Sequence, residues 1–209
     1  DGSILLVDVR SDIEFETIKA KKAQHVNMAS QNFFADLKAL MEANPGKKVA
    51  VYCNGVTCLK SYHAAQQAKE GGLSNVFAFD AGIPAWAKAY PSDTLLIGKE
   101  LTAPAKQLIS KSEFQKYCVD YETFKKKAAA PDTVVIDARD PVQRVEVLPG
   151  FEKALPIPLD KLIRNVIAKG NMKDKKLLVF DQVGKQVDWL QYYLVEYDYK
   201  DYFFLDGGA

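Results

Sequence analysis

Compact, nearly unbroken apolar runs alternate along this chain with longer stretches in which apolar residues recur at helical spacing. The runs are Leu5 to Val9, Val49 to Tyr52 and Val76 to Phe79, and later Val134 to Ala138, Leu177 to Phe180 and Tyr202 to Leu205. Runs of this length, bounded by polar residues or glycine, suit strands buried on both faces of a parallel sheet. Between them, Gln31 to Glu42 sets Phe33, Phe34, Leu37, Leu40 and Met41 on one face and stops at Asn44-Pro45-Gly46, which predicts a helix. Leu59 to Glu70, rich in Ala, Gln and Lys, predicts a second helix with a left-handed cap at Gly71-Gly72. Ser110-Lys111-Ser112-Glu113 has the form of a capping box that opens another helix. Phe114, Tyr117, Cys118 and Tyr121 fall at helical spacing, which makes Cys118 part of that helix's apolar face.

The strand-like runs repeat. Asp8 in Val7-Asp8-Val9-Arg10 corresponds to Asp137 in Ile136-Asp137-Ala138-Arg139, an offset of 129 (137 − 8). Cys53 after Lys47 to Tyr52 corresponds to Asp181 after Lys175 to Phe180, an offset of 128 (181 − 53). Asp80 corresponds to Asp206, each ahead of glycine, an offset of 126 (206 − 80). Near-constant offsets point to a tandem duplication of one α/β domain, each copy a mainly parallel sheet with helices on both faces and right-handed crossovers. The expected boundaries are a domain over 1–98, a linker over 99–110 around Pro104, and a domain over 111–209. The fall in offset by two places two extra residues of the first copy in the loop that begins at Cys53.

Composition narrows the function. With 209 residues the chain is long enough for two domains, and a hydrophobic fraction of 48% against 26% charged supports a real core. A net charge of +1 lacks the basic excess of a phosphate-binding protein, so nucleic acid is not an expected partner. No apolar run approaches the ~20 residues of a membrane helix, so a membrane is not an expected partner either. Three cysteines leave at least one thiol free in a monomer. The start at Asp1 rather than Met leans towards a periplasmic rather than a cytoplasmic location.

Cys53 stands where a buried strand ends and a helix is about to begin, the place where open parallel sheets bind ligands. Main-chain N–H groups and the positive end of the helix converge there, and they stabilise a thiolate, a persulfide or an oxyanion. The expected result is a nucleophilic thiolate in a ring of main-chain donors. A small buried cysteine at a strand end is the alternative reading of the position alone.

The whole pattern resembles the rhodanese family of sulfurtransferases, once per half. The resemblance rests on Val7-Asp8-Val9-Arg10 followed by Ser11-Asp12-Ile13-Glu14-Phe15, on Tyr52-Cys53 with Ser61-Tyr62-His63-Ala64-Ala65, and on Asn75-Val76 with Ala81-Gly82-Ile83-Pro84-Ala85-Trp86. It implies that Cys53 takes the outer sulfur of a donor such as thiosulfate, holds it as a persulfide, and passes it to cyanide, a thiol or a protein acceptor. It implies no metal and no organic cofactor. The loop Asn54, Gly55, Val56, Thr57, Cys58, together with Lys60, would bind substrate, with Asp8 and Arg10 as candidates for a supporting role.

The chain also departs from that family. Many active members carry Arg or Lys five residues after the nucleophile, where this chain has Cys58, and Lys60-Ser61 follows two residues later. Lys60 then either gives a positive charge to an anionic donor or is a solvated helix residue. Cys58 either attacks a persulfide or oxidised sulfur on Cys53 or fills a loop corner. Longer loops occur in phosphatases and arsenate reductases of related fold, which hold an oxyanion with Arg; no Arg lies between Cys53 and Ala64, so that chemistry ranks second. A non-catalytic or redox-switch module using Cys53 and Cys58 is the remaining alternative. Asp181 accepts the helix dipole but cannot carry a persulfide, so the second copy is expected to be silent for sulfur transfer. In two-domain rhodaneses the inactive copy normally precedes the active one, and here the order is reversed. His25 and His63 are expected to be structural.

Overall fold

The computed structural model describes residues 2–209, a mixed α/β chain whose parallel sheets are flanked by helices. It divides into one unit over Asp1–Leu108 and another over Ile109–Ala209. The division falls inside the stretch expected as a linker.

In the first unit the elements run β1 (Ile4–Asp8), α1 (Asp12–Thr17), β2 (Ile18–Ala20), β3 (Gln24–His25), α2 (Phe33–Glu42), β4 (Lys48–Tyr52), α3 (Lys60–Glu70), β5 (Val76–Phe79), α4 (Gly82–Ala89), β6 (Thr94–Leu96), β7 (Lys99–Glu100) and α5 (Pro104–Gln107). The main sheet has the order β3-β1-β4-β5, all parallel. Leu5, Val7, Val49 and Val51 from its strands bury against Phe33 and Leu37 of α2 and Ala64 and Ala68 of α3, and Cys53 belongs to this core. Apolar alternation with nearly full burial is what two covering layers require. Helix α3 ends in a Schellman motif: Leu73 N–H reaches Ala68 O at 2.9 Å, Gly72 N–H reaches Lys69 O at 3.0 Å, and Gly72 carries φ +84°. A small antiparallel sheet, β2-β6-β7, joins residues far apart in sequence, with Ile18 opposite Leu96. Lys99, Glu100 and the buried Leu101, expected in the linker, belong to this unit through that sheet.

In the second unit the order is α6 (Lys111–Gln115), β8 (Cys118–Val119), α7 (Tyr121–Ala128), β9 (Thr133–Asp137), β10 (Leu155–Pro156), α8 (Leu159–Lys161), a π-helical segment (Leu162–Ile167), β11 (Lys176–Phe180), α9 (Val187–Glu196) and β12 (Tyr202–Leu205). Its single sheet is β10-β9-β11-β12-β8, again all parallel. Phe124, Phe151, Leu178, Phe180 and Leu205 form a core cluster. The capping box at Ser110 and Glu113 is present, but α6 ends at Gln115. Cys118 therefore corrects the expectation of a helix face: it lies on β8, paired with Phe204 of β12. Its Sγ lies 3.7 Å from Phe114 O, and burial pushes the thiol up to about 11. Among the described residues no helix is long and apolar enough to cross a membrane.

Candidate active site

The site grows from the end of β4. Tyr52 is the last strand residue and is buried; Cys53 follows with no exposed surface; the chain then turns through Asn54, Gly55, Val56, Thr57 and Cys58 before α3 begins at Lys60. Cys58 N–H closes the turn on Gly55 O at 2.8 Å. Val56 and Thr57 are exposed and Cys58 is half-buried.

Cys53 Sγ lies 3.0 Å from Cys58 O and 3.4 Å from Ser61 Oγ. The N–H groups of Ser61 and Gly55 are also directed at it. Burial alone would raise the thiol; the Cys58 side chain, the Ser61 hydroxyl and those two N–H groups outweigh it and hold Cys53 below an ordinary cysteine. The ring is thus not made of donors alone, as expected from the sequence, because one position holds a carbonyl that accepts the thiol proton. Cys58 moves the other way: burial and the Cys53 side chain push its thiol up, against the N–H groups of Asn54 and Lys60. Ser61, buried on the first turn of α3, contributes both its hydroxyl and its N–H. Its place in the quoted Ser61-to-Ala65 segment gave it no role of its own in the sequence.

Two further residues hold the loop from below. Arg10 grips Asp8 in a fork, Nε to Oδ1 at 2.9 Å and Nη2 to Oδ2 at 2.6 Å, with both side chains fully buried. The same guanidinium donates from Nη1 to Asn54 Oδ1 at 3.1 Å and lies 5.8 Å from the Tyr52 ring centroid. Asn54 in turn donates through Nδ2 to Glu14. Glu14 also accepts from Ser11 N–H at 2.9 Å and from Lys60 Nζ at 3.3 Å. Burial raises this carboxyl, and Ser11 N–H, Lys60, Asn54 and the Ser11 hydroxyl together bring it below its usual value. Asp8 and Arg10 thus lie under the loop as a scaffold, and the Lys60 charge is paired with Glu14. Glu14 had a readable signal, the Ser11-x-x-Glu14 spacing of a capping box at the start of α1.

On the side of β5, Gly82 carries φ +61°, and a Cβ there would meet Cys53 O at 2.3 Å and Gly55 N at 2.5 Å. Ile83 N–H donates to Cys53 O at 3.0 Å. Only glycine permits this approach, since both the backbone conformation and the space exclude a side chain. Tyr62 donates to Asp80 Oδ2 at 3.0 Å at the same end of the sheet. His63 is exposed on α3, and His25 stacks on Phe15 with Nε2 2.9 Å from Arg10 O. Among the described residues no group of three or more His, Cys, Asp or Glu side chains is arranged to hold a metal ion.

The lowered thiol gives a pH prediction. Alkylation of Cys53 by iodoacetamide, followed by peptide mass analysis, is expected to reach half its plateau at a pH below that of a free cysteine, because only the thiolate reacts. Gly82→Ala displaces Gly55, whose N–H faces the sulfur, and should move that midpoint up towards the ordinary value. An identical midpoint in both proteins would contradict the arrangement.

In the second unit the corresponding loop is filled by its own carboxylate. Asp181 Oδ1 accepts from Val183 N–H at 2.9 Å and from Gly184 N–H, and Oδ2 accepts from Gln186 N–H and from Val187 N–H at 3.0 Å. The N–H at the helix end comes from Val187, six residues after Asp181, against Ser61, eight after Cys53. The first loop is longer by the two residues inferred from the offsets. Asp137 and Arg139 repeat the fork at 2.9 and 2.7 Å, with Arg139 5.5 Å from the Phe180 ring centroid. Gly208, at φ +83°, repeats the close approach, with Val183 N 2.5 Å from where its Cβ would sit.

A parallel α/β unit that sets a cysteine on a strand-to-helix loop is a scaffold for thiol chemistry at a helix N-terminus. Residues 1–89 match the family model described as the Rhodanese-like domain. Among solved structures the chain is similar to thiosulfate sulfurtransferase from Pseudomonas aeruginosa, with 18% identity over 99% of this chain and 38% of that one, at a TM-score of 0.41. It is similar to BH2092 protein from Bacillus halodurans at 20% identity, over 50% of this chain and 74% of that one, at a TM-score of 0.38. YnjE matches at 13% identity over 99% of this chain and 59% of that one, at a TM-score of 0.34. The chain therefore spans less than two thirds of the length of the Pseudomonas protein and of YnjE.

Proposed function

We propose that the first unit is a sulfurtransferase in which Cys53 carries a sulfane sulfur, and that the chain is a tandem of two rhodanese-like units with the second silent. The observation that carries the reading is the placement of Cys53 Sγ between the Gly55 and Ser61 N–H groups and the Ser61 hydroxyl at the end of β4. The Cys53 thiolate attacks the outer sulfur of a donor of the thiosulfate type. The sulfur–sulfur bond of the donor breaks, sulfite leaves with its electron pair, and Cys53 becomes a persulfide. An acceptor such as cyanide or a thiol then attacks the outer sulfur, and Cys53 departs as thiolate. The same donors that hold the thiolate hold the charge on the persulfide.

The tandem reading is supported by matching registers within each sheet. Asp8 lies opposite Tyr52 and Asp137 opposite Phe180; Val51 lies opposite Ala78 and Val179 opposite Phe204. Asp181 at the cysteine position, already bonded to four N–H groups, supports a silent second unit. Oxyanion chemistry of the phosphatase or arsenate reductase kind is disfavoured because the loop has no Arg and Lys60 is paired with Glu14.

The test is turnover: thiosulfate plus cyanide should yield thiocyanate and sulfite in equal amounts. Release of phosphate from an aryl phosphate with no thiocyanate would overturn the reading in favour of the phosphatase.

A further inference from the structure

The loop contains two thiols, and the proposed transfer uses only one. Cys58 is packed against the core that contains Cys53, its carbonyl oxygen lies 3.0 Å from Cys53 Sγ, and it is the more exposed of the two. The turn closed by Cys58 N–H on Gly55 O folds the five-residue separation back on itself. The two sulfurs divide the main-chain donors of the loop: Gly55 and Ser61 serve Cys53, while Asn54 and Lys60 serve Cys58.

We propose that Cys58 is a resolving thiol that discharges the Cys53 persulfide as sulfide, leaving a Cys53–Cys58 disulfide. The inference rests on the persulfide reading above. Cys58 Sγ attacks Cys53 Sγ, the inner sulfur of the persulfide. The Cys53 Sγ–outer sulfur bond breaks, and the outer sulfur leaves as hydrosulfide with that electron pair and the proton lost by Cys58. An external dithiol then reduces the disulfide and is itself oxidised to a disulfide, and both cysteines return to thiols. The site thereby acquires an outlet that needs no acceptor at the buried Cys53, and the terminal product becomes sulfide when acceptors are scarce. The second unit has no counterpart, since Asp181 and the shorter loop remove both sulfurs together.

The experiment incubates the full chain with thiosulfate, without cyanide or added thiol. It follows intact mass over time, measures released sulfide, and maps peptides after denaturing alkylation. Wild type should gain one sulfur on Cys53, then lose it as sulfide and end two hydrogens lighter, with a peptide linking Cys53 to Cys58. Neighbouring groups react at an effective concentration in the millimolar range, so Cys58→Ser should lengthen the life of the persulfide by about tenfold or more. Cys58→Ala should do the same if Ser perturbs the loop, and Cys118→Ser should behave as wild type. Equal persulfide lifetimes in wild type and both Cys58 variants, with no linked peptide, would overturn the resolving role and leave the transfer reading intact. No sulfur gain on Cys53 in any variant would overturn both.

Discussion

Cys53→Ser is expected to lower sulfur transfer from thiosulfate to cyanide by roughly three orders of magnitude or more while the protein remains folded. A serine hydroxyl fits the space, and the Cys58 carbonyl that receives the thiol proton in this structure can receive the hydroxyl proton instead. The lost step is the chemical one. Oxygen at neutral pH offers almost no anion, and an oxygen–sulfur adduct does not pass sulfur on as a persulfide does. A thermal unfolding midpoint near that of wild type, measured beside the rate, separates loss of the nucleophile from loss of the fold. Retention of a substantial rate would transfer the chemistry to another residue.

The second large effect lies beneath the loop. Arg10→Ala removes one half of a fully buried ion pair and leaves Asp8 charged, with no guanidinium facing it. Breaking such a pair costs about 3–5 kcal/mol, which for a unit of this size lowers the unfolding midpoint by about 10 °C or more. The same change takes the Nη1 donor from Asn54 and so frees one anchor of the loop. Arg10→Lys should rescue little, because an ammonium cannot make the two-pronged contact with Asp8 and reach Asn54 together. A paired Asp8→Leu and Arg10→Met replacement removes both charges and should recover much of the stability, as apolar substitutes of buried pairs do. It should not recover the pH profile of Cys53, since Asn54 still lacks the Arg10 donor to its Oδ1. A single Arg10→Ala variant as stable as wild type would show that the fork is dispensable.

Much of the fold was legible because buried parallel strands write themselves as apolar runs. Leu5 to Val9, Val49 to Tyr52 and Val76 to Phe79 needed no long-range information, and their recurrence at near-constant offsets carried the second unit with them. Helix ends with strong side-chain chemistry, at Ser110 and Gly72, were equally plain. Cys118 was misplaced because helical spacing records periodicity and not where a helix stops. Tyr117, Cys118 and Tyr121 keep the period of α6, yet two residues of β8 gain more by pairing with β12 than by extending the helix. The β2-β6-β7 sheet left little local mark, since its strands are two or three residues long and β2 pairs with β6 across more than seventy positions.

The site divided along the same line. Cys53, Gly55 and Cys58 could be singled out because a cysteine at a strand end and a glycine in a tight loop are local features. The Arg10–Asn54–Glu14–Lys60 chain was not legible as a chain, because its links span 44, 40 and 46 positions and depend on which faces the fold brings together. Lys60 stood open between giving its charge to an anionic donor and being a solvated helix residue, and neither reading counted Glu14, which pairs with it at 3.3 Å.

The most direct measurement is the position of the transferred sulfur. After brief exposure to thiosulfate, rapid denaturation, alkylation and peptide mass analysis, one additional sulfur should lie on the peptide bearing Cys53, and it should disappear when cyanide is added. Sulfur found on Cys118, or no sulfur on Cys53 under conditions that give turnover, would contradict the account.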